Sequence, residues 1–307
     1  MFDNKLQHNN LKIGVVGIPG GWSSEQLADA VAAQTGSRIL IDITKIDACL
    51  LTGEVHYEGV DLRSLDGIIV KKINSVYSPT DLERLEILRY LQGQGVSIFS
   101  KPENTLRLIS RLACTVTLRN AGIPMPETVI TEDVALAEKA VKRMGRVVLK
   151  PLFSTKARGM VVISSGDDDV QESIDAFKQK NTVMYIQKMV DIPGRDLGVV
   201  FLGGRYLATY ARQGNKESWN TTINSGGHYV AYEPSAEILE MAEKAQAPFK
   251  LDFTCVDVVE TSEGPMVFEV SAFGGYRGLR DAHAINAADL YTSYVIEQLN
   301  ERLSGVA

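Results

Sequence analysis

One segment near the C-terminus, TCVDVVETSEGPMVFEVSAFGGYRG at residues 254–278, restricts the fold more than any other part of the sequence. Two apolar runs flank the turn-forming residues SEGP, and this pattern predicts an antiparallel β-hairpin. The register that pairs Glu260 with Met266 across a five-residue loop places Asp257 directly opposite Glu269. Carboxylates in that arrangement have Cβ atoms about 5 Å apart and repel each other.

The predicted register has a consequence for metal binding. It also places Val258 opposite Phe268 and Val259 opposite Val267, so apolar pairs surround the carboxylates. Charges buried without a partner are costly. A cation between the two carboxylates removes that cost, and carboxylate oxygens are suitable ligands for Mg²⁺. The alternative is a different register that turns one carboxylate toward solvent.

Bulk properties exclude several classes of protein. The chain has 307 residues, enough for about two domains, and no apolar run long enough to cross a membrane. A net charge of −6 argues against a general binder of nucleic acid, although a local basic pocket stays open. The three cysteines are widely spaced and odd in number, which predicts neither a disulfide framework nor a CxxC metal site. With no signal peptide at the N-terminus, we expect a cytoplasmic protein.

The N-terminal third alternates strand-like and helical segments. Apolar runs at residues 12–16, 38–43, 66–70 and 96–99 predict short strands, and a helix is expected at 81–94. This alternation predicts a small parallel α/β domain. The glycines after the first strand do not have the GxGxxG spacing, so they indicate a strand-to-helix turn rather than a dinucleotide site.

A lysine and a loop follow the next apolar strand. Lys150 lies near the end of the strand at residues 146–151, where it either extends outward to solvent or meets a buried anion. The loop at 153–160 lacks a Walker A sequence. Its backbone amides and Lys156 are still able to cover a triphosphate. An ordinary exposed hairpin tip is the alternative.

A polar segment follows a second hairpin. Arg212 ends a strand just before WNTTINSGG at residues 219–227. Arg212 and this segment's asparagines and threonines either form a polar pocket or lie at a solvated strand end. The four histidines are scattered, and no pattern supports a nucleophilic triad or a zinc site.

The order of these pieces resembles the ATP-grasp superfamily and, within it, the RimK-like α-L-glutamate ligases. The resemblance rests on VVLKP, YIQKMV followed by GRDLG, WNTTINSGG and the acidic hairpin, in that order. It implies an α/β (α+β) protein in which ATP lies between two subdomains behind an N-terminal parallel α/β pre-ATP-grasp domain. The implied domains are 1–112, 113–190 and 191–307, the last carrying the Mg²⁺ site.

The resemblance also implies residue roles for ATP binding. Lys150 would contact the phosphates, with Arg111 where the family usually has a second lysine. The loop at 154–159 would cover the phosphates, residues 187–190 would line the adenine mainly through backbone groups, and Asp196 would hold the ribose. The implied ATP-binding residues are Arg111, Lys150, Ser154, Lys156, Gly159, Gln187, Lys188, Met189, Val190, Asp196, Asn220, Thr221 and Thr222.

Metal, catalytic and substrate positions follow in the same way. The three metal positions are Asp257, Glu269 and Ser271, which would hold Mg²⁺, with Mn²⁺ as a substitute. The third is commonly Asn in the family. Lys150 and Arg212 would be catalytic. The implied substrate-binding residues are Asn224, Gly226, Gly227 and Arg277.

The function implied is ATP-dependent ligation of a carboxylate to an amine. A substrate carboxylate would take the γ-phosphoryl group to give an acylphosphate, which an amine then converts to an amide. The expected partners are a small-molecule or peptide carboxylate acceptor and an amine or amino acid, glutamate among them. We expect no nucleic acid or membrane partner. We do expect a homo-oligomer. The alternatives are a small-molecule kinase on the same scaffold and a nucleotide-binding regulatory protein without turnover.

Overall fold

The structure is a computed structural model that describes residues 11–155, 157–214 and 227–305. Its N-terminal region alternates strands with helices, as predicted. The strands are β1 (Ile13–Val16), β2 (Ile39–Ile41), β3 (Asp47–Cys49), β4 (Glu54–Tyr57), β5 (Val60–Asp61), β6 (Gly67–Val70) and β7 (Ser97–Phe99). The helices of this region are α1 (Trp22–Thr35) and α2 (Thr80–Gly93).

Four of these strands form a parallel sheet in the order β2-β1-β6-β7, which confirms the predicted parallel α/β region. All four residues of β1 and of β6 are buried. The chain passes from β1 through α1 to β2 on one side, whereas β6 pairs with the other side of β1. The strand order therefore reverses between β1 and β6, the position at which open α/β sheets bind ligands. The small antiparallel sheet β3-β4-β5 was not predicted, because its strands are too short to show a period.

The middle of the chain forms an antiparallel sheet with helices. Its elements are α3 (Pro102–Ile109), α4 (Arg111–Asn120), β8 (Thr128–Thr131), α5 (Val134–Met144), β9 (Arg146–Lys150), β10 (Val161–Ser164), α6 (Val170–Lys180) and β11 (Met184–Lys188). The strand order is β10-β9-β11-β8. The extended backbone of Ser110 separates α3 from α4, so this helical stretch is not continuous.

The C-terminal region forms a second antiparallel sheet. Its elements are β12 (Arg195–Leu202), β13 (Arg205–Gln213), β14 (His228–Ala231), α7 (Ala236–Gln246), β15 (Phe253–Thr261), β16 (Gly264–Ser271), α8 (Tyr276–His283) and α9 (Ala287–Leu303). The strand order is β14-β13-β12-β15-β16. Gly203 and Gly204 both have positive φ, as a type I′ turn between β12 and β13 requires.

The acidic hairpin is the pair β15–β16, and its register is only half as predicted. Asp257 pairs with Glu269, as expected. A β-bulge follows, so that Val258 pairs with Val267 instead of Phe268. The loop is correspondingly shorter than predicted, because pairing continues to the end of both strands. The bulge leaves Phe268 as the extra residue and turns its ring into the wall of a cavity.

One hydrophobic core joins the two ends of the chain. It contains buried residues of β1 and α1 together with residues of α8 and α9. The side chain of Gln34 donates to the Asp289 carbonyl oxygen at 3.2 Å and accepts from the Ser293 hydroxyl at 3.0 Å. Within the described ranges, every helix is too short or too polar to cross a bilayer. The domain boundaries at residues 112 and 190 stay predictions.

Candidate functional site

A cavity of about 620 Å³ lies where the three larger sheets meet. Its walls come from the carboxyl ends of β1 and β6, the loop after β9, the end of β11, and the strands β12, β13, β15 and β16. A volume of this size is typical of sites for small-molecule ligands. Most of the described residues that the sequence assigned to a site line this cavity.

An arginine holds two aspartates in the cavity wall. Antiparallel pairing puts Asp196 of β12 opposite Arg212 of β13, and Asp257 lies on the other neighbouring strand. The Arg212 guanidinium donates to Asp196, with Nε 2.9 Å from Oδ2, and Nη2 lies 2.9 Å from Asp257 Oδ1. Burial raises the pKa of Asp257 to about 6, although Arg212 opposes this shift.

A second arginine holds the other carboxylate of the hairpin. Arg111 Nη1 lies 3.1 Å from Glu269 Oε2. Its Nε donates to the Pro151 carbonyl oxygen at 3.3 Å, and its Nη2 donates to the Ser154 hydroxyl at 3.3 Å. The facing carboxylates therefore have arginine partners already, so the argument that repulsion alone demands a metal ion is wrong. Arginine partners do not exclude a metal, since each carboxylate has a second oxygen.

The donor set fits Mg²⁺ that arrives with a phosphate ligand. Asp257, Glu269 and Ser271 line the cavity together, because the pairs Asp257–Glu269 and Cys255–Ser271 lie on one face of the hairpin. No group of three or more His, Cys, Asp or Glu side chains in the described part of the chain forms a metal cluster. Mg²⁺ commonly takes only one or two carboxylates and completes its shell with water and substrate phosphates.

Lys150 lies deep in the cavity at the end of β9. Its Nζ donates to Gln187 Oε1 at 2.5 Å and lies 5.4 Å from the centre of the Phe268 ring. Burial, with a smaller contribution from Arg111, lowers the pKa of Lys150 to about 7, and Glu269 opposes this shift. The amine is therefore prepared to gain an anionic partner, which would restore its charge.

Gln187 also lines the cavity, and its side chain has hydrogen-bond partners within the protein. It is buried, and its Nε2 donates to the Thr128 hydroxyl at 3.1 Å and the Tyr185 hydroxyl at 3.2 Å while its oxygen accepts from Lys150. These bonds fix the side chain within the sheet. Gln187 therefore orients Lys150, a role that the sequence did not indicate.

The segment after β11 lines the cavity as expected, but its amides are partly occupied. Lys188, Met189 and Val190 all line the wall. The Lys188 N–H donates to the Glu127 carbonyl oxygen at 2.8 Å, and the Met189 N–H donates to the Arg146 carbonyl oxygen at 2.9 Å. Because both N–H groups already donate to carbonyl oxygens, they cannot donate to an adenine ring in this conformation.

The loop after β9 lies at the cavity, as the prediction for residues 154–159 requires. Thr155, Ala157 and Met160 line the cavity. Ser154 is buried beneath Arg111, and Gly159 lies next to Pro151 with a positive φ. Ser154 and Gly159 are not part of the cavity wall, and their roles in ATP binding stay predictions.

Several predicted residues lie outside the described part of the chain, namely Lys156, Asn220, Thr221, Thr222, Asn224 and Gly226. Gly227 is described and directly precedes β14, but it is not part of the cavity wall. Arg277 of α8 does line the cavity.

Three functional features were missed in the sequence. Lys71 and Lys72 line the cavity directly after β6. Tyr210 also lines it, and its ring fits between Gly198 and Gly278, where a Cβ at either position would lie within 2.5 Å of a ring atom. The lysine pair had a usable signal, because two basic residues directly follow a buried strand at the carboxyl edge of a parallel sheet.

Comparisons with known proteins agree with this arrangement. Residues 110–295 match the family model of the RimK-like ATP-grasp domain. The tetrahydromethanopterin:alpha-L-glutamate ligase of Methanosarcina acetivorans is 26% identical, over 95% of this chain and 99% of that protein. The crystal structure of a RimK domain ATP-grasp protein from Sphaerobacter thermophilus is 19% identical with a TM-score of 0.71, covering 93% of this chain and 99% of that one. The ATP-grasp ligase PsnB, in complex with a variant precursor, Mg and ADP, is 15% identical with a TM-score of 0.73, covering 94% and 99%.

Proposed function

The chain belongs to the RimK-like ATP-grasp family, and from this premise we propose how its cavity performs ATP-dependent ligation. It has the predicted ATP-grasp fold, and it is a carbon–nitrogen ligase that joins a carboxylate to an amine. The observation that supports the proposal most is the shared cavity. Lys150, Arg111 and Arg212 line it together with the carboxylates of Asp257 and Glu269.

ATP binds with its phosphates against Lys150 and Arg111. Both cations lie at the buried end of the cavity, and Gln187 fixes the Lys150 amine through its side-chain oxygen. Charges held in place before the ligand arrives need no reorganisation during the reaction, which is the main source of electrostatic catalysis. The base lies along Met189 and Val190, and the ribose lies toward Asp196.

Asp257, Glu269 and Ser271 would hold Mg²⁺, or Mn²⁺ in its place. The ion supplies neutralising charge to the phosphates when it is bound. Arg212 and Arg111 fix the two carboxylates in position. The donor oxygens are therefore oriented by the protein itself.

Ligation proceeds in two transfers. An oxygen of the acceptor carboxylate forms a bond to the γ-phosphorus while the bond to the β–γ bridging oxygen breaks, giving an acylphosphate and ADP. The amine nitrogen then attacks the acyl carbon and loses a proton, and phosphate leaves. We assign to Arg212 the stabilisation of negative charge at the reacting centre, with its guanidinium held by Asp196 and Asp257.

The acceptor is a small-molecule or peptide carboxylate, and the amine is an amino acid. The names of the curated relatives suggest glutamate as the first amino acid to test. We also propose a homo-oligomer, which light scattering of the full chain tests directly.

A screen for ADP release identifies the substrates. Pairs of one amino acid and one carboxylate acceptor are incubated with ATP and Mg²⁺, and products of active pairs are weighed by mass spectrometry. Ligation gives a product whose mass equals the sum of the masses of the two substrates minus that of one water molecule. A stable phosphorylated acceptor without an amide would contradict ligation, and so would the absence of ADP with every pair. Glu269→Gln provides the inactive control.

A further inference from the structure

Three basic side chains line a part of the cavity that the ATP-binding proposal does not use. They are Lys71, Lys72 and Arg277, and we refer to them together as the basic wall. Among the described residues, seven basic and three acidic side chains line the whole cavity, in a chain whose net charge is −6. The acidic ones are Asp196, Asp257 and Glu269, and none of them belongs to the basic wall.

Lys71 is buried without an acidic partner. Only 3% of the surface of this residue is exposed to solvent. Nζ donates to the Phe273 carbonyl oxygen at 2.7 Å and lies 4.0 Å from the centre of the Tyr276 ring. Neither group carries a negative charge, and no ion pair involving Lys71 is formed within the described ranges. A buried ammonium group in such surroundings is costly, and an anionic ligand relieves that cost.

The titration of Lys71 agrees with its surroundings. Burial, with a smaller contribution from the neighbouring Lys72, lowers the pKa of Lys71 to about 7. The Lys71 amine is therefore close to losing its proton at neutral pH. An anion in contact with it favours the charged form.

Arg277 completes the basic wall from α8. Its guanidinium lies 5.5 Å from the centre of the Trp22 ring, and it forms no ion pair with any described residue. A planar guanidinium that is held against an aromatic ring can present its N–H groups to a carboxylate or phosphate.

The position of the basic wall in the fold provides an independent argument. Lys71 and Lys72 directly follow β6, and Ile18 and Trp22 follow β1 on the same cavity wall. The strand order reverses between β1 and β6, and open α/β sheets bind ligands at this point. The N-terminus of α1 also lines this part of the cavity. Its cap residue, Gly21, has no side chain that could accept hydrogen bonds from the first N–H groups of the helix.

We infer that the basic wall binds the acceptor substrate, and that this acceptor is a small molecule with at least two oxyanion groups besides the carboxylate that is activated. The inference rests on the proposed function, because ATP then takes Lys150 and Arg111 and leaves the basic wall for the second substrate. The oxyanions are carboxylates or phosphate, which share the same recognition chemistry.

Calorimetric titration of the full chain tests the inference. Tricarballylate, with three carboxylates, and 2,3-bisphosphoglycerate, with one carboxylate and two phosphates, serve as probes, each added to protein that is saturated with Mg²⁺ and ADP. We expect binding of one molecule per chain. Lys71→Met and Arg277→Gln should each weaken binding about tenfold or more, as expected for loss of a charged hydrogen bond. Lys45→Met removes an exposed lysine of the same N-terminal region and should change the affinity less than about twofold.

The outcomes separate the inference from the function. Binding of Mg²⁺ and ADP together with equal probe affinity in Lys71→Met and Arg277→Gln would overturn the inference and leave the ligase proposal intact. Absence of ADP binding would overturn the ligase proposal and the inference with it. If Lys71→Met does not fold, Arg277→Gln decides, since Arg277 is exposed on α8. The more tightly bound probe identifies the oxyanion as carboxylate or phosphate.

Discussion

The acidic residues and the basic wall line the same cavity, but the protein treats their charges in opposite ways. Arg212 lies between Asp196 and Asp257, and Arg111 contacts Glu269. Each acidic group is thus balanced by a side chain of the protein. Lys71 meets only a carbonyl oxygen and an aromatic ring, and the Arg277 guanidinium lies 5.5 Å from the centre of the Trp22 ring.

This difference indicates which ligand each region is built for. Balanced charges keep their geometry without a ligand, which suits a nucleotide that brings its own metal ion and phosphates. A buried cation without an acidic partner reduces stability until an anion binds. The Lys71 side of the basic wall is therefore suited to an anionic substrate, and the following experiments test this contrast from the largest expected effect to the smallest.

Removing the central arginine should destabilise the acidic region most. Arg212→Met leaves Asp196 and Asp257 partly buried without their cation, so we expect the free energy of unfolding to fall by about 3–5 kcal/mol. Urea unfolding near pH 8, above the raised pKa of about 6 of Asp257, measures this loss. Arg89→Met, which breaks an exposed pair with Glu86, should cost at most about 1 kcal/mol. Equal losses in the two variants would contradict the contrast.

Neutralising either hairpin carboxylate should remove turnover. Asp257→Asn and Glu269→Gln each take away a metal oxygen and the partner of an arginine, and we expect ADP release to fall about 10²–10³-fold. Steady-state assays with varied Mg²⁺ measure this, with circular dichroism as the test of folding. Glu263→Gln changes an exposed residue in the turn of the same hairpin and should be active. Undiminished turnover in both cavity variants would refute the metal assignment.

The affinity of the basic wall should depend on pH. The Lys71 amine lies above the Tyr276 ring, and its pKa is lowered to about 7. Burial is the main cause, and the positive charge of Lys72 contributes to the shift. A bound anion raises that pKa, so the complex holds one more proton than the free protein above about pH 7. Affinity for tricarballylate should therefore fall with rising pH, by up to about tenfold per unit.

Titration in two buffers with different heats of ionisation measures the proton taken up on binding. Lys71→Met should bind without proton uptake, and Lys45→Met should behave like the unaltered protein. Binding of tricarballylate by the unaltered protein near pH 8 with no proton taken up would show that Lys71 does not meet the anion.

The smallest expected effect concerns the orientation of Lys150. Gln187→Leu removes the oxygen that accepts from the amine, and we expect the Kd for ADP with Mg²⁺ to rise about three- to tenfold, as for one lost hydrogen bond. Gln246→Leu alters another buried glutamine, whose amide donates to the Gly204 carbonyl oxygen away from the cavity. A greater loss of affinity in the Gln246 variant would contradict the orienting role.

The hairpin shows how far the sequence could be read. Alternation of apolar residues fixed the pairing of Asp257 with Glu269, because a shift by one residue exchanges the two faces of a strand. The bulge at Phe268 could not be predicted, since one inserted residue leaves the composition and the apolar pattern unchanged. The family resemblance therefore located the site better than it described the packing around it.

The basic wall as a unit was missed in the sequence for a different reason, although its lysine pair carried a signal and Arg277 was a predicted substrate residue. Lys71 and Arg277 are far apart in the chain, and two lysines after a short strand are typical of a solvated strand end. Their burial depends on the turn at Phe273 and on Tyr276, which the fold brings over the N-terminal sheet. The Gln187–Lys150 contact was missed similarly, because it depends on the pairing of β11 with β9.

The packing of α9 against α1 has a consequence for the order in which the protein can fold. Leu299 of α9 covers Gly67 of β6, and Gln34 of α1 is bonded to the start of the same helix. The N-terminal sheet thus lacks part of its hydrophobic cover until the last helix has been synthesised. Contacts between such distant segments slow folding, and exposed apolar surface invites aggregation in the meantime. We therefore expect the nascent chain to bind chaperones at the ribosome. The basic wall would form late in folding, because it joins residues after β6 to residues of α8.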